Sequence, residues 1–68
     1  MRLKEIRIER GLSQNKLALL SGLSRQAIAF IEQGKKSPTL GTLQKLADAL
    51  NVSVSMLISE NQSDQKAI

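Results

Sequence analysis

Residues 13–34 read SQNKLALLSGLSRQAIAFIEQG, and their apolar residues recur at helical rather than strand spacing. A serine, which is a preferred N-cap residue, directly precedes each of two such segments. A glycine follows each segment, and glycine favours the left-handed conformation in which many helices end. The stretch therefore predicts two short helices, over residues 14–21 and 25–33, capped by Ser13 and Ser24 and ended by Gly22 and Gly34.

A very short turn containing glycine between two short helices is typical of the helix-turn-helix motif. The same start and stop signals predict three further helices, over residues 2–10, about 40–50 and about 54–58, of which the last two are capped by Thr39 and Ser53. No segment alternates for long enough to form a strand. We therefore expect an all-α, compact five-helix domain over residues 1–58, followed by a polar, disordered tail over 59–68.

The inner sides of these helices predict a single helix-on-helix core. Its expected members are Leu3, Ile6, Leu12, Leu17, Leu20, Leu23, Ile28, Ile31, Leu43, Leu46, Ala47, Leu50, Val52 and Leu57.

The composition of the 68 residues argues against an enzyme. The chain has no cysteine and no histidine, so thiolate or imidazole metal sites and histidine-based acid/base catalysis are excluded, and we expect no catalytic residue, metal or cofactor. It also has no apolar run near the ~20 residues that span a bilayer, which predicts a soluble, cytoplasmic protein with no membrane partner.

The net charge of +4 is distributed unevenly along the chain. Residues 1–45 contain nine Lys/Arg and three Asp/Glu, whereas residues 46–68 contain one lysine and three acids. A positive field of this kind favours a polyanion as partner, although it would also serve solubility alone.

The third predicted helix carries side chains that suit DNA base edges. At about 100° per residue, Ile28 and Ile31 fall on its inner side together with Ala27. The outward residues are Arg25, Gln26, Ala29 and Phe30. Arginine can pair with guanine and glutamine with adenine, while alanine or phenylalanine can contact a thymine methyl group. An ordinary solvated face is the alternative for the polar pair, and packing against another part of the fold is the alternative for Phe30.

The motifs resemble those of the phage repressor/Cro-type (xenobiotic-response-element-like) helix-turn-helix family of bacterial and phage transcription regulators. The resemblance is carried by LALLSGLSRQAI at 17–28, IEQGK at 31–35, Pro38, and Leu46, Ala47 and Leu50, and it extends over about residues 3–58. It implies a lambda-repressor-like domain that binds double-stranded DNA, as a dimeric repressor reading an inverted repeat through the major groove, on the nucleoid. A protein-binding adaptor or antitoxin-like module with the same fold stays open as an alternative.

The resemblance also implies roles for single residues. Those at base-reading positions are Ser24, Arg25, Gln26, Ala29 and Phe30, and those at or beside phosphate-contacting positions are Gln14, Gln33, Lys35, Lys36 and Thr39. The family position that Gln14 matches also often braces the recognition helix. Either loop lysine could instead be merely solvated. Arg7 and Glu32 occupy positions that form a partly buried, structural ion pair in the family.

The last helix supplies candidate dimer contacts. Val54, Met56 and Ile58 are apolar there, while the core needs mainly Leu57, so we expect a homodimer through these three side chains, unless some of them cap the core. Three residues depart from the family pattern: Ile8 and Leu19, which could together bind a protein partner, and Gly41.

Overall fold

The computed structural model describes residues 1–59, and the predicted tail lies outside them except for Ser59. This part of the chain has no strand and forms five helices: α1 (Leu3–Glu9), α2 (Gln14–Ser21), α3 (Arg25–Glu32), α4 (Leu40–Leu50) and α5 (Val54–Ile58). The predicted all-α class is confirmed. Helices α1 and α3 are shorter than predicted, because Arg2, Arg10 and Gln33 are capping residues. No helix within residues 1–59 has the length and apolar character needed to cross a membrane.

The helix starts follow from local chemistry, because four hydroxyl side chains each accept a hydrogen bond from the amide three residues further on. Each bond satisfies one of the amide groups that a helix N-terminus leaves without an intrahelical partner. The donor–acceptor distances are 3.0 to 3.2 Å. The predicted N-caps Ser13, Ser24, Thr39 and Ser53 are therefore confirmed.

The turn between α2 and α3 depends on Gly22, whose φ of 78° lies in the left-handed region. The amides of Gly22 and Leu23 both donate to the carbonyl of Ala18, at 2.9 and 3.2 Å. These bonds end α2 abruptly and let Ser24 start α3 two residues later.

Alanine substitutions at Gly22 and Gly41 are expected to change stability in opposite directions. At Gly22 a Cβ would meet nothing within 4 Å, so Gly22→Ala should cost about 1–2 kcal/mol through backbone strain alone. Gly41 lies in the first turn of α4, where a Cβ would lie 4.0 Å from Thr39 Oγ1, so Gly41→Ala should stabilise by about 0.4–1 kcal/mol. Urea denaturation followed by circular dichroism measures both, and equal shifts in one direction would contradict this reading of the turn.

The core lies where α2 packs against α3 and α4, while α5 packs against both α1 and α4. Its buried apolar members are Leu3, Ile6, Leu17, Ala18, Ile28, Ile31, Leu46, Ala47, Leu50 and Leu57, with Leu12, Leu23, Leu43, Ala49, Val52 and Val54 packed partly buried against them. Just before α1, the Arg2 amide donates to the Leu57 carbonyl at 2.8 Å, which ties the start of the domain to its last helix.

One predicted core residue is wrong. Leu20 is half exposed, whereas Ala18, which was not predicted, is buried. The buried side of α2 is formed by Leu17, Ala18 and Ser21, so Leu20 lies beside this side rather than within it.

Candidate nucleic-acid interface

Helix α3 has a buried side and an exposed side, as its sequence predicts. Ile28 and Ile31 are buried, and Arg25 and Gln26 are exposed. Phe30 keeps 37% of its surface exposed, so its ring lies at the protein surface with part of it covered. Ala29, which directly precedes Phe30, is half-buried. The exposed side therefore presents a guanidinium, a carboxamide and an aromatic ring to solvent.

Ser24 has the structural role that the sequence predicts, as the N-cap of α3. Its Oγ accepts the amide hydrogen of Ala27 at 3.0 Å and so caps α3. A hydroxyl has one hydrogen to donate besides its acceptor sites, so Ser24 can still donate to a base or phosphate while it caps the helix. The position is thus fixed by the fold before any ligand binds.

Arg7 and Glu32 form the expected ion pair, which joins α1 to the end of α3. Arg7 donates from Nε to Oε2 of Glu32 at 2.7 Å and from Nη2 to Oε1 at 3.2 Å. Its Nη1 donates to the Leu12 carbonyl at 2.7 Å. The two side chains are only 10% and 3% exposed, so the pair is nearly removed from water. Three bonds from one guanidinium thereby fix both the carboxylate and the loop before α2.

Gln14 connects this ion pair to the exposed side of α3. Its Nε2 donates to Glu32 Oε1 at 3.0 Å, and its Oε1 accepts from Arg25 Nη1 at 3.4 Å. Four side chains are therefore linked in a row: Arg7, Glu32, Gln14 and Arg25. The bond between Gln14 and Glu32 was not foreseen, because the residues are 18 positions apart and neither lies at a spacing that indicates contact.

The remaining phosphate candidates lie around the end of α3 and the start of α4. Gln33, Lys35 and Lys36 are exposed, and Thr39 Oγ1 accepts the Thr42 amide as the cap of α4. A surface groove of about 290 Å³ lies between this loop and the side of α3 that carries Ala27 and Ile31. The groove is lined by Leu23, Ala27, Ile31, Lys36, Ser37, Pro38, Thr39 and Thr42. The structure thus brings Lys36 and Thr39 together, while Gln14 lies elsewhere, beside Arg25 and Glu32.

The apolar residues of α5 divide into two groups. Met56 and Ile58 are 43% and 47% exposed, whereas Val54 is half-buried and packs against the core. Ile8 and Leu19 are exposed, as their helical positions predict. Sequence reasoning missed Leu40, which is 73% exposed at the first position of α4.

The described carboxylates do not gather at one place. Within residues 1–59, no group of three or more Asp or Glu side chains could hold a metal ion. The same residues have no buried side-chain nitrogen or oxygen without a hydrogen-bond partner. The polar groups that remain for a ligand are consequently exposed ones, and they include those on α3 and in the loop that follows it.

Comparison with known proteins places this architecture in a family. A profile of the helix-turn-helix family matches residues 3–57. The chain is 52% identical over 59 residues to the HTH-type transcriptional regulator PuuR of Escherichia coli. The aligned segment covers 87% of this chain and 32% of PuuR. It is 44% identical over 59 residues to the immunity repressor protein of Bacillus phage phi105, covering 87% of this chain and 41% of the repressor.

A solved structure agrees in both fold and sequence. The crystal structure of the restriction-modification controller protein C.AhdI from Aeromonas hydrophila superposes with a TM-score of 0.82 at 42% identity, covering 84% of this chain and 86% of C.AhdI. The chain spans only about a third of the length of PuuR, at 32%. Because the family profile extends over all five helices, the chain belongs to the Cro/C1-type helix-turn-helix family.

Proposed function

We propose that this protein is a sequence-specific regulator of transcription that binds double-stranded DNA as a dimer and represses by occupying an inverted repeat. The observation that carries the proposal is the exposed side of α3, where Arg25 and Gln26 lie free of the core beside Phe30. These are side-chain types that read base edges in the major groove. The function is binding rather than catalysis, and it takes place on the nucleoid in the cytoplasm.

The charge of the domain supports this proposal. Residues 1–45 have six more basic than acidic side chains, and Lys35 and Lys36 project from the loop after α3. Lysines beside a groove-binding helix neutralise phosphates and release counterions, which makes binding depend on salt. Ser24, Ala29 and Phe30 complete the proposed base-reading set, and Gln14, Gln33 and Thr39 complete the phosphate-contacting set.

The names of the relatives support it as well. PuuR is a transcriptional regulator, and the phi105 protein is an immunity repressor. Their matched segments include the whole helix-turn-helix region of this chain. We therefore assign the same kind of activity to this domain.

Selection of duplexes from random DNA near physiological salt tests the proposal. Enrichment of an inverted repeat with half-sites about 34–36 Å apart is the expected result. Four lysines per dimer on phosphates would give log K a slope of about −3.6 against log salt concentration. If no sequence is enriched and binding is weak at every salt concentration, the proposed function is wrong.

We propose that the dimer forms through the exposed side of α5. Met56 and Ile58 lie there, whereas Val54 is half-buried against the core and contributes only the exposed part of its side chain to the contact. A monomer with one short recognition helix buries too little surface for selective binding, so two copies related by a two-fold axis are needed.

The paired substitution Met56→Ala and Ile58→Ala is expected to leave the helical content unchanged and to halve the mass in sedimentation equilibrium. Both side chains are more than 40% exposed, so their truncation removes little core packing. Leu40→Ala is the control, because Leu40 is 73% exposed and lies on another helix. An unchanged mass for the α5 variant would place the dimer contact elsewhere.

A second candidate function is a protein-binding adaptor that docks through α1 or α2. Leu19 is 74% and Ile8 57% exposed, and a patch shared by the two side chains would offer an apolar docking surface. An adaptor complex would tolerate salt, whereas a DNA complex would dissociate as salt increases. A salt titration of any complex captured from cells therefore distinguishes the two functions.

A further inference from the structure

We propose that the groove between α3 and the loop that follows it binds a small organic acid, a carboxylate on a short apolar body, and that this ligand displaces DNA. The displacement of DNA rests on the proposed function, whereas the binding of the ligand does not. Such a ligand would act as an inducer, because it would occupy side chains that DNA also needs.

The floor of the groove is apolar and formed before any ligand binds. Leu23 precedes α3, Ala27 and Ile31 lie one turn apart on that helix, and Pro38 lines the groove from the loop. Ile31 belongs to the core, and Leu23 packs against it, so the floor is held by the fold. An apolar ligand body that covers this floor removes apolar surface of both partners from water.

The rim of the groove is rich in hydrogen-bond donors. Its polar lining residues are Lys36, Ser37, Thr39 and Thr42. The hydroxyl groups of Thr39 and Thr42 are bonded to each other at 3.1 Å. Two hydroxyl groups carry two hydrogens and their mutual bond uses one, so the other remains for a ligand. An ammonium group and this hydroxyl hydrogen therefore border the same groove.

The charge of the rim favours an anion. Within residues 1–59, no Asp or Glu side chain lines the groove or pairs with Lys36. A carboxylate that accepts from Lys36 and from the threonine pair would satisfy donors that the protein itself leaves open. A single lysine matches a single negative charge, which favours a monocarboxylate over a doubly charged phosphate monoester.

The volume of the groove limits the size of the ligand. It is about 290 Å³, close to the lower limit of known ligand sites. At about 30 Å³ for each water molecule of the liquid, this space corresponds to about ten non-hydrogen atoms. Octanoate is a carboxylate of this size, and for so few atoms we expect a Kd of about 1 mM.

The groove overlaps the proposed contact with DNA, because Lys36 and Thr39 also belong to the phosphate-contacting set. A carboxylate bound at these two residues would take the donors that a DNA phosphate needs, and its charge would repel the phosphate. Ligand and DNA would therefore compete, and the ligand would lower the affinity for DNA without any change in the fold.

An NMR titration with octanoate tests the site without DNA. The amides of Thr39 and Thr42 and the methyl groups of Leu23 and Ile31 are expected to shift together. Acetate lacks the apolar body and octan-1-ol lacks the charge, so each should bind at least about tenfold more weakly. Absence of these shifts at about 20 mM octanoate, or equal binding of octan-1-ol, would overturn the proposal.

Lys36→Gln and Lys35→Gln form a matched pair of variants. Both lysines are exposed in the same loop, but of the two only Lys36 lines the groove. Lys36→Gln should raise the Kd for octanoate about three- to tenfold, and Lys35→Gln should leave it unchanged. Ala27→Leu should abolish binding by filling the floor, with circular dichroism as the check that it is folded. Equal effects of the two lysine variants would show a response to the general charge of the loop and would contradict the site.

Competition with DNA is measured on the selected repeat at constant ionic strength. Octanoate at about ten times its own Kd should raise the Kd for the repeat about tenfold, whereas acetate at the same concentration should not. Ala27→Leu should remove this effect. If octanoate binds but leaves the affinity for DNA unchanged, the inducer role is wrong. Failure of the wild-type protein to select any repeat contradicts the proposed function instead, while the NMR titration still tests the groove.

Discussion

Arg7→Met is expected to destabilise the domain by about 3–5 kcal/mol, because it leaves the buried Glu32 carboxylate without its cationic partner. Methionine has a similar length but no donors, so Gln14 alone would remain on a carboxylate that is 3% exposed. The Leu12 carbonyl would lose its side-chain donor as well. Domains are stable by only about 5–15 kcal/mol, so this loss is a large fraction of the total. Urea denaturation followed by circular dichroism at pH 7 measures the loss.

Arg2→Met is the matched control for this experiment. Arg2 Nε donates to Glu5 Oε1 at 3.0 Å, but the two side chains are 19% and 58% exposed. The hydrogen bond from Arg2 lowers the pKa of the Glu5 carboxyl, so the pair contributes stability at neutral pH and loses that contribution as the pH falls through this lowered pKa. Since surface pairs contribute little, the urea midpoint of Arg2→Met should stay near that of the wild type.

Removing both members of the buried pair should cost less than removing one. The double variant Arg7→Met, Glu32→Leu places apolar groups where two charges were, and such replacements are often neutral or stabilising. It is expected to be more stable than Arg7→Met alone. If the single variant unfolds at the wild-type midpoint, Glu32 is solvated in solution and its description as a buried charge is wrong.

Arg25→Ala is expected to weaken binding to the selected repeat by about 1–3 kcal/mol per half-site, or roughly 5- to 150-fold. The loss should be confined to one base pair of each half-site, where the variant no longer distinguishes guanine from the other bases. Arg25 is exposed, and its hydrogen bond to Gln14 is long, at 3.4 Å, so the fold should be unaffected. Competition binding with every single-base variant of the repeat measures the effect.

Lys36→Ala provides the contrast. A lysine on a phosphate carries no sequence information, so its loss should weaken binding to all duplexes alike and reduce the salt slope by about 1 per protomer. Uniform loss for Arg25→Ala as well would show that α3 does not read bases through this residue. A base-specific loss for Lys36→Ala would show that the loop after α3 enters the groove.

The parts of this molecule that depend on near neighbours in sequence could be predicted. Ser13, Ser24 and Thr39 cap their helices because the oxygen and the amide that it accepts are only three residues apart. The left-handed backbone conformation that ends α2 is likewise local, because it depends on the glycine at position 22. These features need no knowledge of the rest of the chain.

Features that depend on packing between distant segments were predicted less well. Helical periodicity indicates which way Leu20 points but not how wide the buried side of α2 is, and the neighbouring helices leave Leu20 half exposed. Val54 packs partly against the core, which is the alternative that its sequence position left open beside a dimer contact. The hydrogen bond between Gln14 and Glu32 joins the start of α2 to the end of α3, and it forms only where these two helices pack together.

The hydrogen bond from the Arg2 amide to the Leu57 carbonyl has a consequence for protein engineering. It brings the first and last turns of the described domain to within 2.8 Å of each other at these two atoms. Domains with adjacent ends tolerate circular permutation and insertion into host proteins. A short linker from residue 59 to residue 1, with new termini opened in the exposed loop at Lys35 and Lys36, would preserve all five helices. The recognition helix could thereby be displayed from a host loop without a change to its own sequence.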